Sequence, residues 1–346
     1  MKKITIVIPH FNGIDILKDC LNSLFQNIFT GYTTLLIDNG STDGSQDFVK
    51  KEYPQVRLIE NEKNLGYAGA CNQGIDLSDT PYVLLLNNDT VMPENFLQHM
   101  LSAIEKDEKI SMVQPKILSI QNKDRFDYSG AAGGELDIFG YPFARGRIFD
   151  DVEQDLNQYN SLDNTCFWTS GCALLLRKRV TDEIGTLDED FFAHQEEIDL
   201  NWRAQLAGYR NVVTTETFIY HYSGYTLRKD NQHKMFLNHR NNLIMMLKNY
   251  SWQFLFILLP VRILLELTTI AADTVLWDRK RTKAVIHSFI DILKNLKKIL
   301  RKRKRTQTLR KVSDAVILKN MFFGSIVFEH YIRKKTPTEC ISSYRR

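Results

Sequence analysis

The first hundred or so residues alternate short, fully apolar runs with segments of helical spacing, and most of the runs end in a polar cluster. Residues 4–8 are apolar or β-branched throughout and are stopped by Pro9. Ile14, Leu17, Leu21, Leu24 and Phe25 then recur on one face of a helix. Residues 33–37 form a second run, closed by Asp38-Asn39-Gly40, and residues 56–59 a third, followed by a helical pattern over 68–77. Residues 82–86 end in Asn87-Asn88-Asp89, 92–104 again show helical spacing after Pro93, and Met112-Val113 open another strand. A strand that is apolar at every position is covered on both faces. Alternation of such strands with helices predicts an α/β fold built on a parallel sheet. Ligands of such sheets bind at the carboxyl ends of the strands. The clusters His10-Phe11-Asn12, 38–43 and 87–89 fall at those ends.

Composition agrees with a packed chain. Of 346 residues, 43% are hydrophobic and 25% charged, which excludes a disordered, collagenous or disulfide-stapled protein. Cys20, Cys71, Cys166, Cys172 and Cys340 are odd in number and form no C-x-x-C pair, so no zinc site or disulfide framework is implied. Met1-Lys2-Lys3 begins like a secretory leader, but the apolar stretch before Pro9 is shorter than the ~7–15 residues of an h-region. A cytoplasmic location is expected. Residues 124–165, rich in Gly, Asp and aromatics, predict an irregular excursion or hairpin over the site. Regular patterning returns in a strand at 172–176 and helices at 197–207 and 234–249.

The C-terminal part differs. Residues 278–346 hold 20 Lys and Arg against five Asp and Glu, a balance of +15 on a chain of net charge +4, so the first 277 residues carry −11. Within the largely apolar stretch 252–277, Arg262, Glu266 and Asp273 fall in an arc of about 40° at 100° per residue. A narrow polar stripe with tryptophans at both ends suits a helix lying in a membrane interface. A buried helix or a dimer contact is the alternative. A second segment, 285–300, mixes Ile286, Phe289, Ile290, Leu293, Leu296 and Leu300 with lysines, and Arg301-Lys302-Arg303-Lys304-Arg305 follows. The acidic body and the lack of a nucleic-acid-binding module argue against nucleic acid. Beside amphipathic helices, the basic run is expected to meet anionic lipid, at ~1 kcal/mol per basic residue near the surface.

Several stretches in this order and spacing are specific: 7–12 (VIPHFN), 37–45 (IDNGSTDGS), 64–69 (NLGYAG), Asn72-Gln73-Gly74, 85–90 (LLNNDT), Ser170-Gly171, Phe191-Phe192 with 196–200 (EEIDL), and His221 within 219–223 (IYHYS). Over roughly residues 3–245 the chain resembles the inverting glycosyltransferase family 2, with the GT-A fold, and within it bacterial rhamnosyltransferases that extend lipid-linked glycans. The resemblance implies a catalytic domain over 1–249 and leaves 250–346 as a helical, basic membrane-docking or oligomerisation region. It implies a nucleotide-sugar donor, dTDP-L-rhamnose in the favoured reading and UDP-galactose or UDP-glucose otherwise. It also implies a polyprenyl-linked or polysaccharide acceptor at the inner face of the plasma membrane. A catalytically inactive, membrane-recruited binding protein is the reading from a different class.

The same resemblance distributes roles. Asp89 stands where the family's metal-binding carboxylate lies, and His221 where a second ligand lies; hard oxygen ligands suit Mg²⁺ or Mn²⁺, and imidazole favours Mn²⁺. Asn87 replaces a first Asp of the motif, so such an ion would depend on the nucleotide diphosphate for much of its affinity. Glu196 and Glu197 occupy a Glu-Asp pair whose second member is the base, so Glu197 is assigned to that role with Glu196 as the fallback. Asp199 is read as a helix-start acid pairing with Arg203. Asp38 would read the N3–H of a pyrimidine, with Pro9, Phe11, Asn12, Asn64, Gly66, Asn87 and Asn88 around the nucleotide. Gly66 and Gly69 would let backbone approach it. Asp43 is equally explained by turn chemistry. Trp168, Ser170 and Gly171 would line the acceptor side, with Phe167 and Trp168 either stacking on a sugar or packing in the core.

Overall fold

The computed structural model describes residues 2–222 and 231–345. The first half follows the alternation read from the sequence. Strands β1 (Ile4–His10), β2 (Tyr32–Asp38), β3 (Arg57–Glu60) and β4 (Tyr82–Leu86) are joined by helices α1 (Ile14–Phe25), α2 (Ser45–Glu52) and α3 (Gly66–Asp76). The short β5 (Thr90–Val91), α4 (Phe96–Glu105) and the long β6 (Ile110–Ser119) follow. β2 and β4 flank β1 in parallel, and β3 adds to β2 in parallel. The central sheet is mostly parallel, as expected, with antiparallel members entering further on. β12 (Ala173–Arg177) lies antiparallel between β4 and β6, and β13 (Arg210–His221) runs parallel to β6.

Residues 124–165 are less irregular than their composition predicts. They contain a small antiparallel sheet of β7 (Gly134–Leu136), β8 (Pro142–Ala144), β9 (Arg147–Ile148) and β10 (Asp151–Val152), before β11 (Thr165–Cys166) returns to the main sheet beside β13. Strands of two or three residues are too short to show a period. Helices α5 (Lys178–Ile184) and α6 (Glu196–Leu206) complete the layer over the sheet. One core cluster, around Ile4, Leu17, Leu84, Phe96 and Val113, fills one face of the sheet. Another, around Val7, Ile37, Leu85 and Leu200, fills the opposite face. The alternating side chains of single strands thus enter two cores.

The C-terminal helices are α7 (Gln232–Asn249), α8 (Trp252–Val275), α9 (Arg279–Lys294), α10 (Leu296–Thr308), α11 (Asp314–Leu318), α12 (Ile326–Tyr331) and α13 (Pro337–Ser342). The amphipathic segment 285–300 is thus divided between two helices at Asn295. A third cluster joins Trp202 of α6, Met245 of α7, Leu255 of α8, Ile292 of α9 and Ile299 of α10. It crosses the division expected at residue 249. The tail folds back further, with Phe322, Ile326 and Ile341 packed on Phe143 and Ile148 of the small sheet. Arg345 pairs with the buried Glu135 at 2.7 Å.

Two C-terminal expectations change. Arg262, Glu266 and Asp273 do share one face of α8, but that face is turned inward: all three are buried, while Phe256, Ile257, Leu264 and Leu267 are exposed. The basic run is also partly consumed. Lys302 pairs with Asp188 and Asp190, and the buried Arg303 donates to the carbonyls of Leu247 and Tyr250. Only Arg301, Lys304 and Arg305 of the five remain exposed.

Candidate active site

The polar strand ends converge as the topology requires. At the end of β2, Asp38 is fully buried. Its Oδ2 accepts from the backbone amides of Gly40 and Ser41 (3.2 and 3.0 Å) and from Gln46 Nε2 (2.7 Å). Its Oδ1 is buried with no hydrogen-bond partner among the described residues. A carboxylate fixed by one oxygen, with the other unsatisfied, is an acceptor prepared for an external N–H.

The loop after β1 is tied to the loop after β2. Asn12, at φ 56°, donates its amide N–H to Ser41 Oγ, and its Oδ1 accepts from the Thr42 amide (both 2.9 Å). Asp43 accepts from the amides of Gly13 and Ile14 and from Ser45, so it caps this double loop, as its turn context suggests. Phe11 is left exposed and Pro9 half-buried. Asn88 Nδ2 lies 2.7 Å from His10 Nδ1, and burial pushes the His10 imidazole below its ordinary value.

The glycines of residues 64–69 have another reason than the one expected. Asn64 Oδ1 accepts from the Gly66 amide, an Asx turn opening α3. Gly66 has φ 76°, and a Cβ there would lie 2.6 Å from the Phe192 carbonyl oxygen. A Cβ on Gly69 would meet the Leu65 side chain. Close packing inside the protein explains both.

Asp89 and His221 meet because β5 pairs antiparallel with the end of β13, setting His221 opposite Thr90. His221 Nε2 is 3.1 Å from Asp89 Oδ1, and its Nδ1 is 3.0 Å from Asp127 Oδ1. Burial opposes charge on this ring, yet Asp89 and Asp127 override it and hold the imidazole well above its ordinary value. Asp127 lies in the segment read only as an excursion, with no local signal for its role. The one available hint was general: a ligating histidine is oriented by a carboxylate on its other nitrogen.

Glu196 and Glu197 open α6. Glu196 is buried and Glu197 half-buried, and Oε2 of each is enclosed without a partner among the described residues. Burial raises both carboxyls, Glu197 to about 7, and the neighbouring Glu197 adds to the rise at Glu196. The two centres are linked through the start of β12. Cys172 lies beside His221 and Asp89. Its neighbour Gly171 accepts from Tyr67 Oη at 2.6 Å, and Tyr67 lies within electrostatic reach of both glutamates.

Of the loop before Glu196, the sequence singled out only Phe191-Phe192. Phe192, His194 and Gln195 have φ of 62, 71 and 70°, a left-handed conformation that costs of order 1 kcal/mol or more per non-glycine residue. Helix α7 holds it there. Fully buried Asn241 directs Nδ2 at the carbonyls of Phe191, Ala193 and His194 (3.1, 3.0 and 2.7 Å). Arg240 donates to the Asp190 carbonyl at 2.6 Å. Below the loop, Lys248 joins Asp188 and Asp199 at 2.6 and 2.9 Å, and Arg203 reaches Asp199 at 2.9 Å. Asp199 therefore does pair with Arg203, inside a buried network. The hint in the sequence was five consecutive polar residues, 238–242, in the middle of a helix.

The acceptor-side expectation does not survive for Trp168 or Ser170. Trp168 is buried, donates to the Glu135 carbonyl and covers Gly134 so closely that a Cβ there would lie 2.0 Å from the ring. Phe167 packs edge-on against Trp202. Buried Ser170 donates its hydroxyl to the Ser129 carbonyl. These side chains build the wall and offer nothing to a sugar. Elsewhere, a cavity of about 530 Å³ among Thr5, Tyr32, Thr34 and Arg57 opens at the amino ends of the strands, away from these residues.

Asp89 Oδ1 and His221 Nε2 face one another as one oxygen and one nitrogen donor, with Asp127 orienting the ring. That donor set fits a divalent cation such as Mn²⁺. Among the described residues no group of three or more His, Cys, Asp or Glu could hold one, so remaining ligands would come from elsewhere.

Known proteins share this architecture. GalNAc-T7, solved with UDP, GalNAc and Mn²⁺, superposes with a TM-score of 0.57 at 15% identity, over 73% of this chain and 49% of that one. This chain thus spans about half the length of that protein. A mannosyltransferase from Pyrobaculum calidifontis, solved with GDP-Man and Mn²⁺, gives 0.51 at 13% identity over 92% and 86% of the two chains. At such identities the likeness is one of fold. In sequence, the N-acetylglucosaminyl-diphospho-decaprenol L-rhamnosyltransferase of Mycobacterium tuberculosis is 25% identical over 234 residues, covering 63% of this chain and 76% of that protein. The pattern of Glycosyl transferase family 2 matches residues 5–185, just over half of the chain. The chain is a GT-A-fold member of glycosyltransferase family 2.

Proposed function

We propose that this chain is an inverting, metal-dependent enzyme that transfers L-rhamnose from dTDP-L-rhamnose to a polyprenyl-diphosphate-linked sugar. It would act at the cytoplasmic face of a bacterial plasma membrane, in cell-surface polysaccharide synthesis. Residues 1–249 would carry the chemistry and the helices after 250 the contact with membrane. The observation that carries the reading is the meeting of Asp89 with His221 at adjoining strand ends, the ring fixed by Asp127. Rhamnose and the lipid-linked acceptor rest on the mycobacterial relative.

A divalent cation between Asp89 and His221 would supply Lewis acidity for the leaving diphosphate. The chain's own residues do the rest. Asp38 Oδ1 accepts the pyrimidine N3–H, and Phe11 flanks the base. Glu197 takes the acceptor hydroxyl proton as that oxygen attacks the anomeric carbon from the face opposite the diphosphate, and configuration inverts in one displacement. A carboxyl near 7 is half-ionised at neutral pH and suits general-base work. Glu196 is less exposed, which favours Glu197 for that role.

The test is a panel of nucleotide sugars, with and without Mn²⁺, read by thermal shift and by turnover on a lipid-linked N-acetylglucosamine acceptor. Ligand binding raises the melting temperature by mass action. The expected result is stabilisation and turnover with dTDP-L-rhamnose, and inhibition by EDTA that Mn²⁺ reverses. Turnover with UDP-galactose or UDP-glucose alone would replace the donor. Binding without turnover of any donor would favour an inactive, binding relative.

A further inference from the structure

Helix α8 is built inside out. Its ionisable residues are buried against the protein: Arg262 lies 2.5 Å from Glu266, donates to Asn242 Oδ1 at 3.0 Å and covers the Tyr141 ring. Glu266 also lies 2.8 Å from His239, and Asp273 meets Arg281 at 3.4 Å. The opposite face carries Phe256, Ile257, Leu264 and Leu267, all exposed, Phe256 by 86%; Trp252, exposed on one side and stacked on Arg303, begins the helix, and Trp277 follows its end, exposed by 75%. Water sorts side chains the other way. A continuous apolar face of this length on a folded protein marks a surface that meets another apolar phase.

We propose that the outward face of α8 docks on the surface of a phospholipid bilayer, its axis along the membrane plane. This names the part of the chain that meets the membrane of the proposed function, and it rests on that reading. At 24 residues and about 1.5 Å per residue the helix is long and apolar enough to cross a membrane. Its inner face, however, is fastened to the protein from Leu255 to Asp273, so it lies along the body. Tryptophans near both ends suit the headgroup boundary. Just past Trp277, Arg279, Lys280 and Lys283 are exposed, a charge that anionic headgroups complement. A second copy would answer that charge less well, since the outward face of α8 offers no acidic group.

Apolar docking and the attraction of the basic residues past Trp277 separate experimentally. The full chain is sedimented with vesicles of phosphatidylcholine alone and with added phosphatidylglycerol. The expected result is binding to both, stronger to the anionic vesicles, with high salt removing only the difference. The triple variant Phe256→Ser, Leu264→Ser, Leu267→Ser should lose ~10-fold or more of its partitioning to both vesicles. Because these side chains are exposed, its circular dichroism and its turnover on a soluble acceptor analogue should match wild type. Arg279→Gln, Lys280→Gln and Lys283→Gln together should lose only the anionic increment. No binding to neutral vesicles, or unchanged binding by the triple variant, would overturn the proposal. So would a lipid-free dimer that the triple variant abolishes and vesicles leave intact. Vesicle binding uses neither donor nor acceptor sugar, so a wrong donor would not disturb this result.

Discussion

The candidate site and helix α8 both bury ionisable groups, for opposite reasons. In the candidate site, Asp38 Oδ1, Glu196 Oε2 and Glu197 Oε2 are enclosed without partners among the described residues. On α8, Arg262 and Glu266 pair with each other, Glu266 also with His239 of α7, and the unsatisfied side of the helix is its exposed apolar face. A buried carboxylate oxygen with no cation beside it is an acceptor that a polar ligand can satisfy. Compensated buried charge behind an exposed apolar face marks where water is meant to be absent.

The contrast can be broken at four points. Asp89→Ala has the largest expected effect. Losing several kcal/mol of charge stabilisation at the leaving group should cut kcat by ~10³-fold or more, with the circular dichroism spectrum unchanged. Near-normal turnover under saturating Mn²⁺ would remove Asp89 from the site.

Glu197→Gln should lower kcat by ~10²–10⁴ and leave donor affinity intact; the same loss at Glu196→Gln would move the base by one residue. Wild-type activity should rise with pH through about 7, as the raised carboxyl ionises. The stability effect has the opposite sense. A carboxyl raised above its unfolded value binds more protons folded than unfolded. Its contribution is full below that value of 4.5 and is lost as pH rises through about 7. Glu197→Gln should therefore melt above wild type at about pH 8, with the gap closing toward about pH 5. A variant that is both inactive and less stable at high pH would count against a desolvated base.

Arg262→Met probes the other region. Breaking a buried pair costs about 3–5 kcal/mol, whereas an exposed arginine on a conventional amphipathic helix costs under about 1 kcal/mol. Urea unfolding distinguishes the two, and a small value would mean that the stripe faces water.

Asn241→Ala has the smallest expected effect and tests the link between the regions, because α7 carries both the loop clamp and His239. A loosened loop should reduce kcat by roughly 10- to 10²-fold, the scale of a misplaced catalytic group, with donor Kd unchanged. Equal losses in donor binding and kcat would make Asn241 a general support instead.

The sheet's first strands were legible because residues apolar at every position have one fate, and α1 and β4 match their patterns at both ends. Asp38, Asp89 and His221 were legible as residues at strand ends. Their partners were not. Asp127 lies 94 residues from His221, and Asn241 47 residues from His194, distances that no local pattern spans. Trp168 shows the converse: an aromatic beside a cleft has the same sequence signature whether it faces a sugar or covers Gly134.

Periodicity fixes which residues share a face, and it did so on α8: Arg262, Glu266 and Asp273 form one stripe, as their spacing of four and seven requires. Which way the stripe points is not a local property. It depends on whether the rest of the chain supplies His239, Asn242 and Tyr141 to receive those charges, and here it does. Burying an ion pair is tolerable only where such partners are already assembled. The sequence by itself thus determined the alternation, the strand-end chemistry and the two-faced helix. The tertiary structure alone decided which face of that helix the protein keeps for itself.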